Sequence, residues 1–255
     1  MAEPLLAING ITKRFGGVLA SDGITLSVPQ GELHAIIGPN GAGKTTLIGQ
    51  LTGEIDPNSG TIVFAGRDIT ALPTYQRSIM GLARSFQITS LFQDFTALDN
   101  VALAVQAHAG HSFHFWREAR GEEELRAPAR AALDRVGLSH RADTVVSSMS
   151  HGEHRQLEIA MALATRPRML LLDEPMAGMG PEESAAMVQT LLELKKQYTI
   201  LLIEHDMEVV FALADRISVL VYGRVIATGL PDAIRANADV RQAYLGEQEA
   251  VVADG

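Results

Sequence analysis

The sequence predicts an α/β protein with a partly parallel β-sheet, and three observations support that fold class. First, apolar strand-like runs alternate with helical patterns in the last third of the chain, as they do in α/β sheets. Second, the glycine-rich run IIGPNGAGKTT, residues 36–46, lies between an apolar run and a helical pattern. Third, residues 87–167 are helical in pattern nearly throughout. We expect this block to be an insert in the sheet.

The first third of the chain favours short strands. Four runs are predicted as strands: 5–8, 24–28, 32–37 and 61–69. We predict a loop at 13–23, between the first two, and a turn at Gly66 and Arg67. Apolar residues at helical spacing predict helices at 45–51 and 75–82.

Capping signals mark two helix starts in the helical block. Thr96 and Asp99 have the spacing of a capping box, and so do Ser150 and Glu153. Pro128 lies inside a further helical run, where it can break the helix. The remaining predicted elements are strands at 168–174, 199–204 and 216–229, helices at 181–197 and 206–214, and short helices from 231 onward.

Composition narrows the class of protein. The 255 residues are 47% hydrophobic, contain no cysteine and carry a formal net charge of −9. This acidic balance argues against nucleic-acid binding, which needs a basic face, and the lack of cysteine excludes disulfides and thiolate metal sites. The first residues do not form a signal peptide, and no apolar run approaches the roughly 20 residues of a membrane helix. We therefore expect a soluble cytoplasmic chain that can still sit on a membrane through a partner.

The glycine-rich run predicts a phosphate-binding loop. Gly38, Gly43, Lys44 and Thr45 satisfy the pattern G-x-x-x-x-G-K-[ST]. Glycines let the backbone wrap closely around an anion, and the helix that follows adds the positive end of its dipole. Lys44 can reach the β- and γ-phosphates of ATP, and Thr45 can bind Mg²⁺. The other loop residues expected at the nucleotide are Asn40, Gly41, Ala42 and Thr46.

Carboxylates at a second strand end predict a site for the metal and the attacking water. Asp173 and Glu174 end the run MLLLDE, and ligands of α/β proteins bind at the carboxyl ends of strands. Asp173 can hold the Mg²⁺ shell, and Glu174 can orient or deprotonate a water. In LLIEHD, His205 could contact the γ-phosphate from a similar strand end, although a lone histidine there is more often a capping or surface residue.

Five motifs occur in an order and at distances that resemble the nucleotide-binding subunit of ABC transporters: GPNGAGKTT, SFQ, SMSHGEHRQLEIAMAL, LLLDEP and LIEHD. The resemblance covers the chain from about Leu5 to Gly246. It implies a P-loop NTPase fold, in which a RecA-like core with an antiparallel β part carries an inserted helical subdomain. The whole chain, 1–255, is then one nucleotide-binding domain, with its core at 1–87 and 168–255 and its helical subdomain at 88–167.

The resemblance also implies roles for single residues. Phe15 lies where the family stacks an aromatic ring on adenine. Gln87 looks like the residue that senses Mg²⁺ and the water, and it joins Thr45 and Asp173 as a candidate metal contact. Glu174 resembles the catalytic glutamate, and His205 resembles the switch histidine that contacts the γ-phosphate.

The family's signature motif departs here from its common form. In such proteins two subunits enclose two ATP molecules, and the signature motif of one binds the γ-phosphate held by the other. Ser150 and Gly152 match the common LSGGQ, but the run is MSHGE, so His151 and Glu153 replace a glycine and a glutamine. Glu153 is electrostatically awkward near a phosphate unless it caps its own helix. A second motif of the family, the D-loop, follows the LLLDEP run and usually ends in aspartate. Here the corresponding run MAGMG, residues 176–180, ends in Gly180.

Longer runs resemble the ATP-binding subunit of branched-chain or hydrophobic amino-acid importers. They include RFGGVLA, DEPMAGMGPEE and IEHDMEVVFALADRISVLVYGRVIATG. The resemblance implies membrane permease subunits, a second ATPase subunit and, indirectly, a periplasmic solute-binding protein as partners. It also implies a peripheral position on the cytoplasmic face of the inner membrane.

Several alternatives stay open at this point. The ATPases of urea importers and of lipopolysaccharide exporters are similar, and a permease-free ABC ATPase of translation or DNA repair belongs to a different class. A regulatory protein that binds ATP without hydrolysing it is a further alternative, against which Glu174 argues. His108, His111 and His114 invite a metal site, but they would spread over a helix with Gly110 between them, so we interpret this stretch as a solvated insert.

Overall fold

The structure is a computed structural model that describes residues 3–85, 91–109 and 123–243. The chain divides into two compact units, Met1–Arg77 with Tyr198–Gly255, and Ser78–Gln197. These cuts fall at other points than the bounds predicted for the core and the helical subdomain, which remain a prediction.

An antiparallel sheet forms the first part of the first unit. Its strands are β1 (Leu6–Phe15), β2 (Val18–Val28), β4 (Ser59–Phe64) and β5 (Arg67–Asp68), in the order β2-β1-β4-β5. The loop predicted at 13–23 is wrong, because β1 and β2 pair along a long hairpin that reaches Phe15 and Val18. Several register shifts interrupt this pairing, and they hide the alternation by which a strand is usually recognised. The turn predicted at Gly66 and Arg67 lies one residue earlier, at Ala65 and Gly66.

The other strands described in the first unit are four strands of a mixed sheet. They are β3 (Leu33–Ile37), β8 (Thr199–Ile203), β9 (Arg216–Val221) and β10 (Arg224–Gly229), in the order β10-β9-β3-β8. Strand β3 runs parallel to both β8 and β9, and β10 is antiparallel to β9. Every residue of β3 and β8 is buried, as expected for parallel strands in the middle of a sheet.

Helices of the first unit follow the predicted pattern. Their bounds are α1 (Lys44–Thr52), α7 (Met207–Leu213) and α8 (Pro231–Ala236). A fourth helix, α2 (Thr74–Ile79), runs across the cut between the units.

In its described residues, the second unit combines two strands with four α-helices. The strands β6 (Leu82–Arg84) and β7 (Met169–Asp173) are parallel, and the helices are α3 (Ala97–Ala109), α4 (Glu123–Arg135), α5 (His151–Ala164) and α6 (Pro181–Leu194). Helices α3, α4 and α5 pack against one another. Helix α4 continues through Pro128 without the break that the proline suggested.

The predicted helix at 75–82 is wrong at its end. Helix α2 stops at Ile79, and Leu82 begins β6. Gly81, at a φ of +97°, lies between them, and its carbonyl accepts hydrogen bonds from the amides of Arg168 and Met169. A three-residue strand carries no periodic signal of its own, so only this pairing with the start of β7 identifies it.

Within the described ranges, no helix combines the length and the apolar character needed to cross a membrane.

Candidate nucleotide site

The phosphate loop is a turn of backbone enclosed by other backbone. It leaves the sheet at the end of β3, and the amide of Gly223, in the β9–β10 turn, donates to the carbonyl of Ala42 at 2.8 Å. A Cβ atom on Gly38 would overlap the carbonyl oxygen of Leu220, and one on Gly43 would overlap that of Ala20. Any side chain at these two glycines would therefore force the surrounding strands apart.

Lys44 is held inside this loop. Its side chain is only 8% exposed, and its ammonium donates to the carbonyls of Gly38 at 2.6 Å and Pro39 at 2.9 Å. Helix α1 begins at Lys44, directly after Gly43 in the left-handed conformation with φ +104°. The positive charge and the positive end of the helix dipole therefore lie together at the loop, as anion binding requires.

The other predicted loop residues differ in their exposure to solvent. Asn40, Gly41 and Thr45 are exposed, Thr46 is half-buried and Ala42 is buried. Thr45 thus presents its hydroxyl at the first turn of α1, where the sequence predicted a metal contact.

An arginine that sequence reasoning missed closes the far end of α1. Arg77 is 1% exposed, and its guanidinium donates to the carbonyls of Gln50 at 2.6 Å, Leu51 at 2.8 Å and Leu72 at 2.8 Å. A cation at this end complements the negative end of the helix dipole. Burial lowers the pKa of the guanidinium from its ordinary value, yet arginine stays charged throughout the physiological range.

His205 leaves the sheet at the same edge as the phosphate loop. The register pairs Ile36 of β3 with Ile203 of β8, so both strands end side by side. Glu204 is 1% exposed, and its carboxylate accepts from the backbone amide of His205 at 3.1 Å. The imidazole itself is 65% exposed. This arrangement leaves the ring exposed at the edge where β3 and β8 end, and the switch role of His205 stays a prediction.

Phe15 ends β1 at the tip of the first hairpin. Its ring is 49% exposed, and the ammonium of Lys13 lies 5.2 Å from the ring centroid. The neighbouring strand β2 supplies the Ala20 carbonyl that backs Gly43. An exposed ring beside a strand that contacts the phosphate loop is suited to stacking on a base.

The two acidic candidates follow β7 in the second unit. Asp173 is 6% exposed, and its carboxylate accepts from Arg84 at 3.2 Å. Sequence reasoning missed Arg84, because an ion pair between residues so far apart in the chain leaves no local signal. Glu174 is half-buried and has a φ of +48°. A non-glycine residue in the left-handed region costs about 1–2 kcal/mol, and such strain concentrates at functional sites.

The signature segment, residues 149–153, starts helix α5 with the capping box that the sequence predicted. The hydroxyl of Ser150 accepts from the amide of Glu153 at 3.2 Å, and the Glu153 carboxylate accepts from the amide of Ser150 at 2.8 Å. Glu153 also pairs with Arg141, at 2.7 Å from Nε to Oε1. Burial would raise the pKa of Glu153, but the Ser150 amide and the Arg141 guanidinium outweigh it and lower the pKa. Glu153 therefore caps its own helix, and Arg141 balances its negative charge. Both contacts answer the sequence-based objection that a carboxylate is awkward near a phosphate.

Two further predictions fall wholly or partly outside the described residues. Gln87 lies in the undescribed range 86–90, so its role remains a prediction. Of the three histidines weighed as a metal site, only His108 is described.

The family model for ABC transporters matches residues 21–177, more than half of the chain. The model of the branched-chain amino acid ATP-binding cassette transporter matches residues 224–250. The chain therefore belongs to the ABC transporter family, and it is an ATP-hydrolysing subunit of that family. The predicted family and fold class are confirmed.

Several known proteins are similar to this chain over nearly its whole length. The chain is 41% identical to the high-affinity branched-chain amino acid transport ATP-binding protein LivG of Salmonella typhimurium, over 97% of this chain and 100% of the relative. It is 40% identical to the corresponding protein BraF of Pseudomonas aeruginosa, over the same shares. Among solved structures, an ATP-binding cassette of an ABC transporter in its ADP conformation matches with a TM-score of 0.85 and 32% identity, over 96% of this chain and 100% of that one. A nucleotide-free cassette matches with a TM-score of 0.83 and 31% identity, over 95% and 99%.

Proposed function

We propose that the chain binds and hydrolyses ATP to drive the import of branched-chain amino acids. The ammonium of Lys44, fixed on the carbonyls of Gly38 and Pro39 beside the start of α1, is the observation that carries nucleotide binding. The match of the C-terminal residues to the branched-chain family model, together with the LivG and BraF relatives, supports the choice of solute.

Residues of the first unit bind the nucleotide. The loop amides and Lys44 bind the β- and γ-phosphates, and Phe15 stacks on the adenine. His205 contacts the γ-phosphate and keeps it oriented toward the water. Each of these groups is a donor or a flat apolar surface, which matches a triphosphate anion attached to a base.

The hydrolytic side falls to Asp173 and Glu174. Thr45, Gln87 and Asp173 are the residues whose side chains would hold Mg²⁺, because hydroxyl, amide and carboxylate oxygens are the hard donors that this ion prefers. The Asp173 carboxylate accepts a hydrogen bond from Arg84. Bound there, Mg²⁺ would neutralise charge that develops on the phosphates. Glu174 orients the attacking water and takes its proton, and the left-handed backbone at this residue fixes the direction in which its carboxylate leaves the strand.

The chain works together with further subunits. Ser150 and Gly152 contact the γ-phosphate of an ATP held by a second ATPase subunit. Membrane permease subunits pass the solute, and a periplasmic solute-binding protein delivers it. The chain then works at the cytoplasmic face of the inner membrane.

Replacing Glu174 tests the hydrolytic role. Glu174→Gln keeps the shape but removes the basic carboxylate, so turnover of the assembled complex should fall about 10²–10⁴-fold while ATP affinity persists. Glu182→Gln, at an exposed glutamate of α6, is the matched control. Hydrolysis at the wild-type rate in Glu174→Gln, with the glutamate of the partner ATPase also replaced, would contradict the assignment.

Uptake tests the solute. Cells whose own copy of this chain is deleted should regain uptake of labelled leucine, isoleucine and valine when wild type is supplied, and should not regain it with Lys44→Ala. Restored urea uptake without leucine uptake would overturn the proposed solute and leave the ATPase assignment intact.

A further inference from the structure

Three consecutive residues of the signature segment contact one short segment of the same chain, the α6 entry, residues 177–183. The hydroxyl of Ser150 donates to the carboxylate of Glu183 at 3.0 Å. The ring Nε2 of His151 lies 3.1 Å from the carbonyl oxygen of Ala177. A Cβ atom on Gly152 would lie 2.7 Å from the Glu183 carboxylate. We call the two hydrogen-bonding contacts, of Ser150 with Glu183 and of His151 with Ala177, the clasp.

The clasp fixes the hydroxyl of Ser150 from both sides. A serine hydroxyl has one hydrogen to donate and two lone pairs. The hydrogen goes to Glu183, and one lone pair accepts from the amide of Glu153 at 3.2 Å. A phosphate oxygen can only accept, so this hydrogen turns from Glu183 to the γ-phosphate when the ATP of the second subunit binds, and Glu183 sets the position of the hydroxyl before that contact forms. The second oxygen of Glu183 accepts from the amide of Gly180 at 3.4 Å. Glu183 therefore links the serine to the loop in front of helix α6.

The histidine forms the second half of the clasp. A carbonyl oxygen can only accept, so the His151 ring carries a hydrogen on Nε2 when it contacts Ala177. The same ring lies against Gly178, where a Cβ atom would be 3.1 Å from Nε2. A glycine in place of His151, as in the common motif, would make neither contact.

We propose that His151 and Glu183 are positioning residues that fix the signature serine on the α6 entry of its own subunit. This inference rests on the proposed function, in which Ser150 contacts the ATP of the second subunit. The α6 entry follows Glu174 by three residues, so the clasp ties the group that serves the partner's nucleotide to the loop that carries this subunit's own catalytic glutamate. Two of the three departures from the common motifs then complement each other: His151 contacts the carbonyl of Ala177, and Gly180 offers only a backbone amide, which donates to Glu183.

The test uses the assembled ATPase complex with His151→Ala and Glu183→Ala. We expect kcat to fall about tenfold in each, as for the loss of one hydrogen bond to a charged group. The affinity of the purified chain for ATP should stay within twofold, because Lys44 and the phosphate loop are unchanged. His151→Gln, whose amide N–H can still reach Ala177, should recover most of the rate. Glu182→Ala is the matched control and should behave as wild type.

A double-mutant cycle separates positioning from a general loss of structure. Since Glu183 acts through Ser150, Ser150→Ala combined with Glu183→Ala should be no slower than Ser150→Ala alone. Multiplied losses, or wild-type kcat in both His151→Ala and Glu183→Ala while Ser150→Ala is slow, would overturn the clasp and leave the proposed function standing. If Ser150→Ala itself hydrolysed ATP at the wild-type rate, the role of Ser150 and the clasp would fall together. Should Glu183→Ala fail to fold, Glu183→Gln, which loses one of the two acceptor oxygens, replaces it in the cycle.

Discussion

The phosphate loop and the signature segment, for which we propose the same kind of ligand, are built by opposite means. The phosphate loop is built from backbone, with Gly38 and Gly43 pressed against the carbonyls of neighbouring strands. The signature segment is built from side chains, with Glu153 held by Arg141 and with Ser150 held by Glu183.

This difference explains which of the two segments can depart from its family pattern. At Gly38 and Gly43 the backbone cradle has no room for a Cβ atom, so these two glycines have no substitutes. Contacts between side chains can be replaced by other contacts between side chains, and His151 and Glu153 both find partners here. The loop therefore keeps its common form while the signature segment does not.

A methyl group in the phosphate loop gives the largest expected effect. Gly38→Ala should lower the free energy of unfolding by about 3 kcal/mol, at the upper end for overpacking, because the carbonyl of Leu220 belongs to a strand that cannot yield. ATP affinity should fall by at least about 100-fold. Thermal denaturation and nucleotide titration of the purified chain measure both.

Gly41→Ala is the control for this prediction. A Cβ atom at Gly41 meets nothing within 4 Å, and only its φ of +77° opposes a side chain, so the cost should stay near 1 kcal/mol. Equal losses at Gly38 and Gly41 would show that backbone enclosure does not decide which glycines are essential.

Phe15 tests whether the phosphate-loop side also depends on a side chain. Base–aromatic stacking is worth roughly 1–3 kcal/mol, and half of this ring is already exposed, so Phe15→Ala should weaken ATP binding by at most a few hundred-fold. The unfolding midpoint should hardly change. Val18→Ala, at the exposed residue paired with Phe15, is the matched control. Unchanged ATP affinity in Phe15→Ala would remove this ring from the nucleotide site.

Glu153 tests the side-chain design of the signature segment. Glu153→Ala removes a partner of the Ser150 amide and of Arg141, and the loss of such a cap costs about 0.5–2 kcal/mol. Urea unfolding, with Glu182→Ala alongside, measures it. A free energy of unfolding equal to that of wild type would mean that the capping box does not stabilise α5.

The smallest expected effect is the loss of stability at low pH, which sets in at a different pH for His34 of β3 than for Glu153 of the signature segment. Burial lowers the pKa of His34 below its ordinary 6.5, against the opposing effect of Glu32. The unfolded chain therefore binds this proton more readily, and the stability that neutral His34 contributes is lost as pH falls below 6.5. The pKa of Glu153 is lowered from 4.5, so its contribution is full above 4.5 and is lost only below that.

Urea unfolding at a series of pH values checks both signs. His34→Gln should flatten the decline that sets in as pH falls below 6.5, whereas Glu153→Gln should flatten it only below 4.5. An unchanged slope in either range would contradict the corresponding assignment. Strand β3, which carries His34, leads into the phosphate loop, so the two ranges report on different regions.

Much of this molecule is predictable from its sequence, since the decisive patterns are local. The apolar runs of β3, β7 and β8, and the capping box of Ser150 and Glu153, all have the predicted form. The long β1–β2 hairpin was missed because register shifts break its alternation, and β6 was missed because three residues have no period. Arg77, Arg84 and Glu183 were missed for a different reason. Their partners are backbone carbonyls or side chains distant in the sequence, and folding alone brings them together.

The left-handed backbone at Glu174 sets stability against activity. Glycine is the residue that this conformation accommodates without strain, so Glu174→Gly would remove roughly 1–2 kcal/mol of strain together with the carboxylate. Selection for thermal stability alone would favour the glycine. The same substitution would remove the carboxylate that we propose as the catalytic base, and ATP hydrolysis would be lost. An engineered, more stable version of this subunit must therefore gain its stability elsewhere and leave this one unfavourable conformation in place.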